Sequence, residues 1–217
     1  LKIIPLFSKP IFCKKINFIE ENLRKEFFNT DFIDIKNGLT SLNQKLLHEE
    51  KYKQILESIQ NEINYYVYNI LNVSKDITFN ISASWLMKHT DSKHFSQPHV
   101  HVGAILSGCL YIKTDKKCGN IKFLDYQQQC ISRALPYPFS FNYEKYNIYN
   151  SSEWEIEVED DLLLIFPSDL YHYTERNFSA EPRYCICFDV VADGIFNQKI
   201  INPSLQNTRK MKIKIDT

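Results

Sequence analysis

The spacing of apolar residues changes once along this chain, near residue 77, and that change limits the folds open to it. Upstream, over residues 49–73, Tyr52, Ile55, Ile59, Ile63, Val67 and Ile70 recur at three- and four-residue steps, the spacing of one buried helix face. Residues 18–28, "FIEENLRKEFF", repeat it over a shorter length. Downstream come "ITFNISASWLMKH", "HVGAILSGCLYIKT", "GNIKFLDY", "EWEIEVEDDLLLIFP" and "PRYCICFDVVA". These are rich in β-branched and aromatic residues and are separated by turn-forming breaks, which reads as a series of short strands. Helices in the first third and strands in the remainder predict an α+β chain whose sheets form a sandwich or barrel. The proline-punctuated opening, "LKIIPLFSKPIFCKKIN", is expected along the edge of the larger sheet.

A chain of 217 residues is long enough to enclose a pocket in one domain. We expect a strand and supporting helices over 1–76, a β core over 77–191 and a C-terminal extension over 192–217. The 26 basic and 26 acidic residues balance, so no overall positive field draws the protein to nucleic acid or to an anionic membrane. No apolar run approaches the roughly 20 residues of a membrane span, and the N-terminus lacks the layout of a secretion signal. The six cysteines are scattered without a CxxC pair, which predicts reduced thiols and a cytoplasmic protein. Residues 135–154, crowded with aromatics, read first as a packed surface loop and second as a lid. The basic tail "RKMKIKID" reads as a solvated strand or a fraying end.

His99 and His101 stand two apart at the mouth of an apolar run. Strand alternation places them on one side with Gly103, Ile105, Ser107, Cys109 and Tyr111, and sets Val100, Val102, Ala104, Leu106, Leu110 and Ile112 on the other. Two imidazoles so placed can converge on one ion, although such pairs also arise at strand ends by chance. His172 supplies a third candidate, in a loop after the apolar strand that ends at Pro167. Eleven residues later Arg183 opens another strand, on one face with Cys185 and Cys187. A buried arginine requires an anion, and Asp189, Glu181 or the carboxylate of a bound ligand would serve. His48, His89 and His94 read as solvated surface residues.

The order His-x-His, distal His, then Arg resembles the 2-oxoglutarate and Fe(II)-dependent oxygenase superfamily, whose double-stranded β-helix carries His-x-Asp, a distal His and an Arg about ten residues on. "IIPLFSKPIF", "SASWLMKH", "HVHVGAILSGCLYI" and "FPSDLYH" extend the resemblance to a family of such oxygenases common in marine bacteria and phages. The chain departs from those relatives at Met87, where an Asn is usual, and at Val102, where a Pro is usual. Against the wider superfamily, His101 replaces the carboxylate of the metal-binding triad.

The resemblance implies a jelly-roll fold in which His99, His101 and His172 hold Fe(II). It further implies that 2-oxoglutarate is the co-substrate, with its far carboxylate on Arg183 and a second donor from Tyr111 or Ser107. Oxidative decarboxylation to succinate and CO2 would drive hydroxylation of a small molecule or of a peptide or protein side chain. Three imidazoles also suit Zn, Cu or Ni, and Asp91 or Asp169 could orient a ligand ring from behind. Two other readings stay open: a cupin-like three-histidine metal enzyme that does not use 2-oxoglutarate, and a non-catalytic jelly-roll binding module. Homodimer formation is also left open.

Overall fold

The computed structural model of the protein describes residues 8–16, 19–125 and 142–194. Two antiparallel sheets face each other. In the larger, β11 (Arg183–Gly194) lies at the centre, flanked by β6 (Leu106–Lys113) and β4 (Ile77–His89). Outside β6 run β9 (Leu162–Pro167) and then β1 (Phe12–Lys15), and outside β4 run β3 (Gly38–Ser41) and β2 (Phe32–Ile35). The smaller sheet has the order β5 (Ser96–His99), β10 (Tyr171–Thr174), β7 (Ile121–Leu124) and β8 (Glu153–Ile156). This is the jelly roll of a double-stranded β-helix, and β1 occupies the edge position expected of the proline-punctuated opening.

The larger sheet is buried on both faces by different means. Against one face lie α1 (Glu21–Phe28) and α2 (Lys53–Tyr65). Fully buried Ile55, Ile59 and Ile63 share a cluster with Leu86, Leu110, Ile186 and Phe188. Each such side chain contributes about 1.5–3 kcal/mol on burial. The opposite face, carrying Cys109, Tyr111, Leu164, Phe166 and Cys185, packs with Ile121 and Phe123 of the smaller sheet. Helices seal one side, so the other is free to line a cavity.

The helical stretch read over 49–73 is wound in three ways. A 3-10 turn at Glu50–Tyr52 leads into α2, and a π turn at Tyr66–Ile70 follows, with Leu71 N–H donating to the Tyr66 carbonyl at 3.0 Å. Tyr66 and Val67 continue the buried stripe of α2, three and four residues after Ile63.

Two stretches expected as single strands are each divided. The stretch from His101 to Thr114 is not one strand. β5 belongs to the smaller sheet and β6 to the larger, so the chain crosses between sheets over residues 100–105, turning at Gly103 with φ +92°. Val102, placed in the core by alternation, is 96% exposed there. "EWEIEVEDDLLLIFP" divides for the same reason into β8 and β9, with Asp161 at φ 68° between them. β2 and β3 form a further hairpin, for which Asn37–Gly38 between two apolar runs is the turn signal in the sequence. The first part of the loop at 135–154 and the basic tail lie outside the described residues.

Candidate metal centre and its cavity

β5 and β10 are neighbours in the smaller sheet, with His99 directly opposite His172. His172 is therefore on a strand and only 5% exposed, not in an exposed loop. His101, two residues past β5, is held by its own backbone, whose N–H donates to the Ser168 carbonyl at 3.0 Å. The ring nitrogens of His99, His101 and His172 offer donor atoms that all lie within 4.8 Å of one another.

What each ring does with its other nitrogen fixes the chemistry. Nδ1 of His99 donates to the Gln97 carbonyl at 2.7 Å, and Nδ1 of His172 to the Leu170 carbonyl at 2.9 Å. Nδ1 of His101 meets Asp189 Oδ1 at 2.6 Å. Carbonyl and ionised carboxylate oxygens only accept, so the proton of each neutral ring sits on Nδ1 and leaves Nε2 as a lone pair. Nε2 of His99 and Nε2 of His101 are 3.2 Å apart. Two donors at about 2.1 Å from one ion stand about 3.0–3.4 Å apart for octahedral to tetrahedral angles. Burial, then the charge of His99, pushes His172 down to about 3, and burial first also lowers His99. Lone pairs facing each other in a half-dry site call for a shared cation, so the residues fit a divalent metal.

Behind the triad a cavity of about 430 Å³ runs between the sheets, lined by Trp85, Met87, Cys109, Tyr111, Cys185 and Phe166 and reaching Arg183. Arg183 is 2% exposed. Its Nη1 donates to the carbonyls of Cys118 at 2.8 Å and Gly119 at 2.7 Å, and its Nη2 to Nδ1 of His89. Among the described residues no carboxylate pairs with it. Both carboxylates proposed as its partner are engaged elsewhere: Asp189 with His101, and Glu181 with Lys113 at 2.6 Å. Glu175, near enough to feel the guanidinium, is tied to Lys122 at 2.9 Å.

The structure also relocates several residues. His89, read as a surface residue, is 3% exposed and lines the cavity. Burial, then the Arg183 charge, pushes it down to about 3, so it stays neutral and accepts from the guanidinium. Alternation along β4, which sets Trp85, Met87 and His89 on one face, was the signal that could have found it. Tyr111 lines the cavity, where burial holds its phenol well above the ordinary range and keeps it a donor. Ser107 sits at the other end, donating to Asp189 at 2.8 Å. Asp91 caps its own turn at Lys93 and Asp169 pairs with Lys9, so it is Asp189 that stands behind a ring of the triad. Gly108, beside Ser107, leaves no room for a side chain: a Cβ there would lie 2.2 Å from the Phe188 ring and 2.6 Å from the Leu164 carbonyl.

Residues 83–189 match the model of a family described as "Putative 2OG-Fe(II) oxygenase". No curated protein matches the chain. Among solved structures, the chain is similar to the non-heme alpha ketoglutarate dependent epimerase SnoN of nogalamycin biosynthesis, with TM-score 0.56 and 10% identity over 85% of this chain and 80% of that one. It is similar to HygX from Streptomyces hygroscopicus, solved with nickel, 2-oxoglutarate and hygromycin B, with TM-score 0.53 and 10% identity over 84% and 82%. A Pseudomonas putida prolyl-4-hydroxylase aligns with TM-score 0.51 and 11% identity over 85% and 94%. At these identities the likeness establishes the shared fold.

Proposed function

The chain belongs, through residues 83–189, to the putative 2OG-Fe(II) oxygenase family, and from that premise we propose that it oxidises a C–H bond of a small molecule or of a peptide side chain, with hydroxylation as the outcome. Fe(II) and 2-oxoglutarate are the cofactor and co-substrate of that family. The observation that carries the reading is the pairing of two features in one cavity: three imidazole donor atoms that converge within 4.8 Å of one another, and a buried guanidinium that no carboxylate among the described residues neutralises. When bound, iron and the keto acid supply the oxidising chemistry, with succinate and CO2 as the co-products.

The chain's own residues perform the remaining tasks. His99, His101 and His172 would hold the metal on one face and leave its other positions to the co-substrate and O2. Arg183 would take the far carboxylate in a charge-assisted contact, with Tyr111 as the second donor, since Ser107 is committed to Asp189. Its neutral partners, His89 and two carbonyls, hold the guanidinium in place without satisfying its charge. Trp85, Phe166 and Met87 give the cavity apolar walls that exclude water beside the metal. The five described cysteines are free, which suits a reducing cytoplasm.

Fe(II)-loaded protein given 2-oxoglutarate in air should release succinate and CO2 in equal amounts, slowly without substrate and faster with one. Absence of succinate from protein that binds both Fe(II) and 2-oxoglutarate would contradict the reading.

A further inference from the structure

The imidazole of His101 is held from behind by a closed ring of contacts. Its Nδ1 donates to Asp189 Oδ1 at 2.6 Å, and Ser107 Oγ donates to the same oxygen at 2.8 Å. That commits the one proton of Ser107, so Ser168 Oγ, 2.9 Å away, must donate to Ser107. The Ser168 carbonyl closes the ring by accepting the His101 backbone N–H. Asp189 stands where the register of β11 against β4 slips, opposite Ala83 while Val190 faces Ile81. Such an irregularity re-aims a side chain. Trp85 stacks on the His101 ring with centroids 5.8 Å apart and planes at 22°, so the imidazole is fixed in tilt as well as in direction.

A carboxylate on Nδ1 cannot itself reach a metal at Nε2; it acts through the ring. We propose that Asp189 is a positioning residue that supplies, through His101, the negative charge a carboxylate ligand would have brought to the centre, and thereby sets its affinity for a divalent ion. A neutral three-imidazole site leaves a divalent charge uncompensated. An ionised acceptor on the ring N–H draws the proton outward and strengthens Nε2 as a donor. His101 thus replaces the triad carboxylate in position, and Asp189 replaces it in charge, one ring further out. The inference rests on reading the three histidines as a metal centre.

The test is Co(II) alone, titrated into metal-free full-length protein and followed by calorimetry and by the visible ligand-field band. Asp189→Asn keeps an oxygen able to accept from Nδ1 and removes only the charge. It should weaken Co(II) binding by about 10–100-fold, with the metal-free melting temperature of the variant showing whether it folds. Binding by folded Asp189→Asn within about twofold of the unaltered protein overturns the proposal. Zn(II) added to unaltered protein labelled with 15N-histidine gives a reading that needs no variant. Coordination of His101 through Nε2 with Nδ1 still protonated supports the proposal, and coordination through Nδ1, which would displace Asp189, overturns it. If unaltered protein shows no Co(II) band that His172→Ala removes, the metal reading itself fails, a result separable from either of these.

Discussion

The two ends of the cavity are built by one strand and are electrostatic opposites. β11 places Asp189 at one end and Arg183 at the other, with Cys185 and Cys187 between them on the same face. At the Asp189 end the carboxylate is satisfied by the His101 ring, and three imidazole donor atoms converge. At the Arg183 end a buried cation is held by two carbonyls and a neutral histidine. A buried charge without a counter-charge is costly. Under the proposed function, a divalent metal would bind at the first end and the far carboxylate of a keto diacid at the second.

Breaking one end should leave the other standing, and the expected effects fall in order. The largest is at the metal end: His172→Ala removes a donor, and Co(II) affinity measured by calorimetry should fall well beyond the about 10–100-fold that loss of a supporting group causes. The fold of the Arg183 end should persist in that variant.

Next comes acid stability at the opposite end. His89, ordinarily near 6.5, is pushed down to about 3 by burial, with the charges of Arg183 and His94 adding to the effect. The unfolded chain therefore binds a proton between those values that the folded chain refuses. The stabilising contribution is complete above about pH 6.5 and is lost as pH falls toward 3, on the order of 5 kcal/mol in all. Urea titrations of metal-free protein across that range should show it together with the like contribution of His172, also pushed down to about 3, and His89→Phe should lessen the slope without abolishing it.

The same His89→Phe variant removes the acceptor on the guanidinium and should raise the Kd for 2-oxoglutarate by about tenfold, with Co(II) affinity unchanged. Equal weakening of both ligands would mean that the two ends are not separate. The smallest effect is expected from Tyr111→Phe, which deletes one neutral donor and should raise that Kd by about three- to tenfold. No change would remove Tyr111 from the co-substrate site.

Much of this was legible in the residues, and the failures share a cause. Helical spacing located α2, and strand texture located β4 and β11 closely, because long elements carry many repeats of their period. The metal candidates were read from order and spacing alone, and the structure brings them together. β5 and β10, which carry His99 and His172, are four residues each, too short to show a period. The crossings between sheets at residues 100–105 and at Asp161 were read as continuous strand because the apolar run does not stop where the chain changes sheets. His89 looked solvated from its polar neighbours Lys88, Thr90 and Asp91, yet it ends a half-buried strand and alternation turns it inward. Asp189 was linked to Arg183 through their shared strand. Six residues of extended chain, about 20 Å, put it at the far end of the cavity instead.

The central claim is that both ends act on one keto diacid, and anaerobic spectroscopy tests it most directly. Fe(II) and 2-oxoglutarate added to metal-free protein should produce a visible metal-to-ligand charge-transfer band, and Arg183→Ala should require about 100-fold more 2-oxoglutarate to reach it while binding Fe(II) normally. A protein that binds Fe(II) but gives no band, or a band whose 2-oxoglutarate dependence is the same without Arg183, would contradict the account.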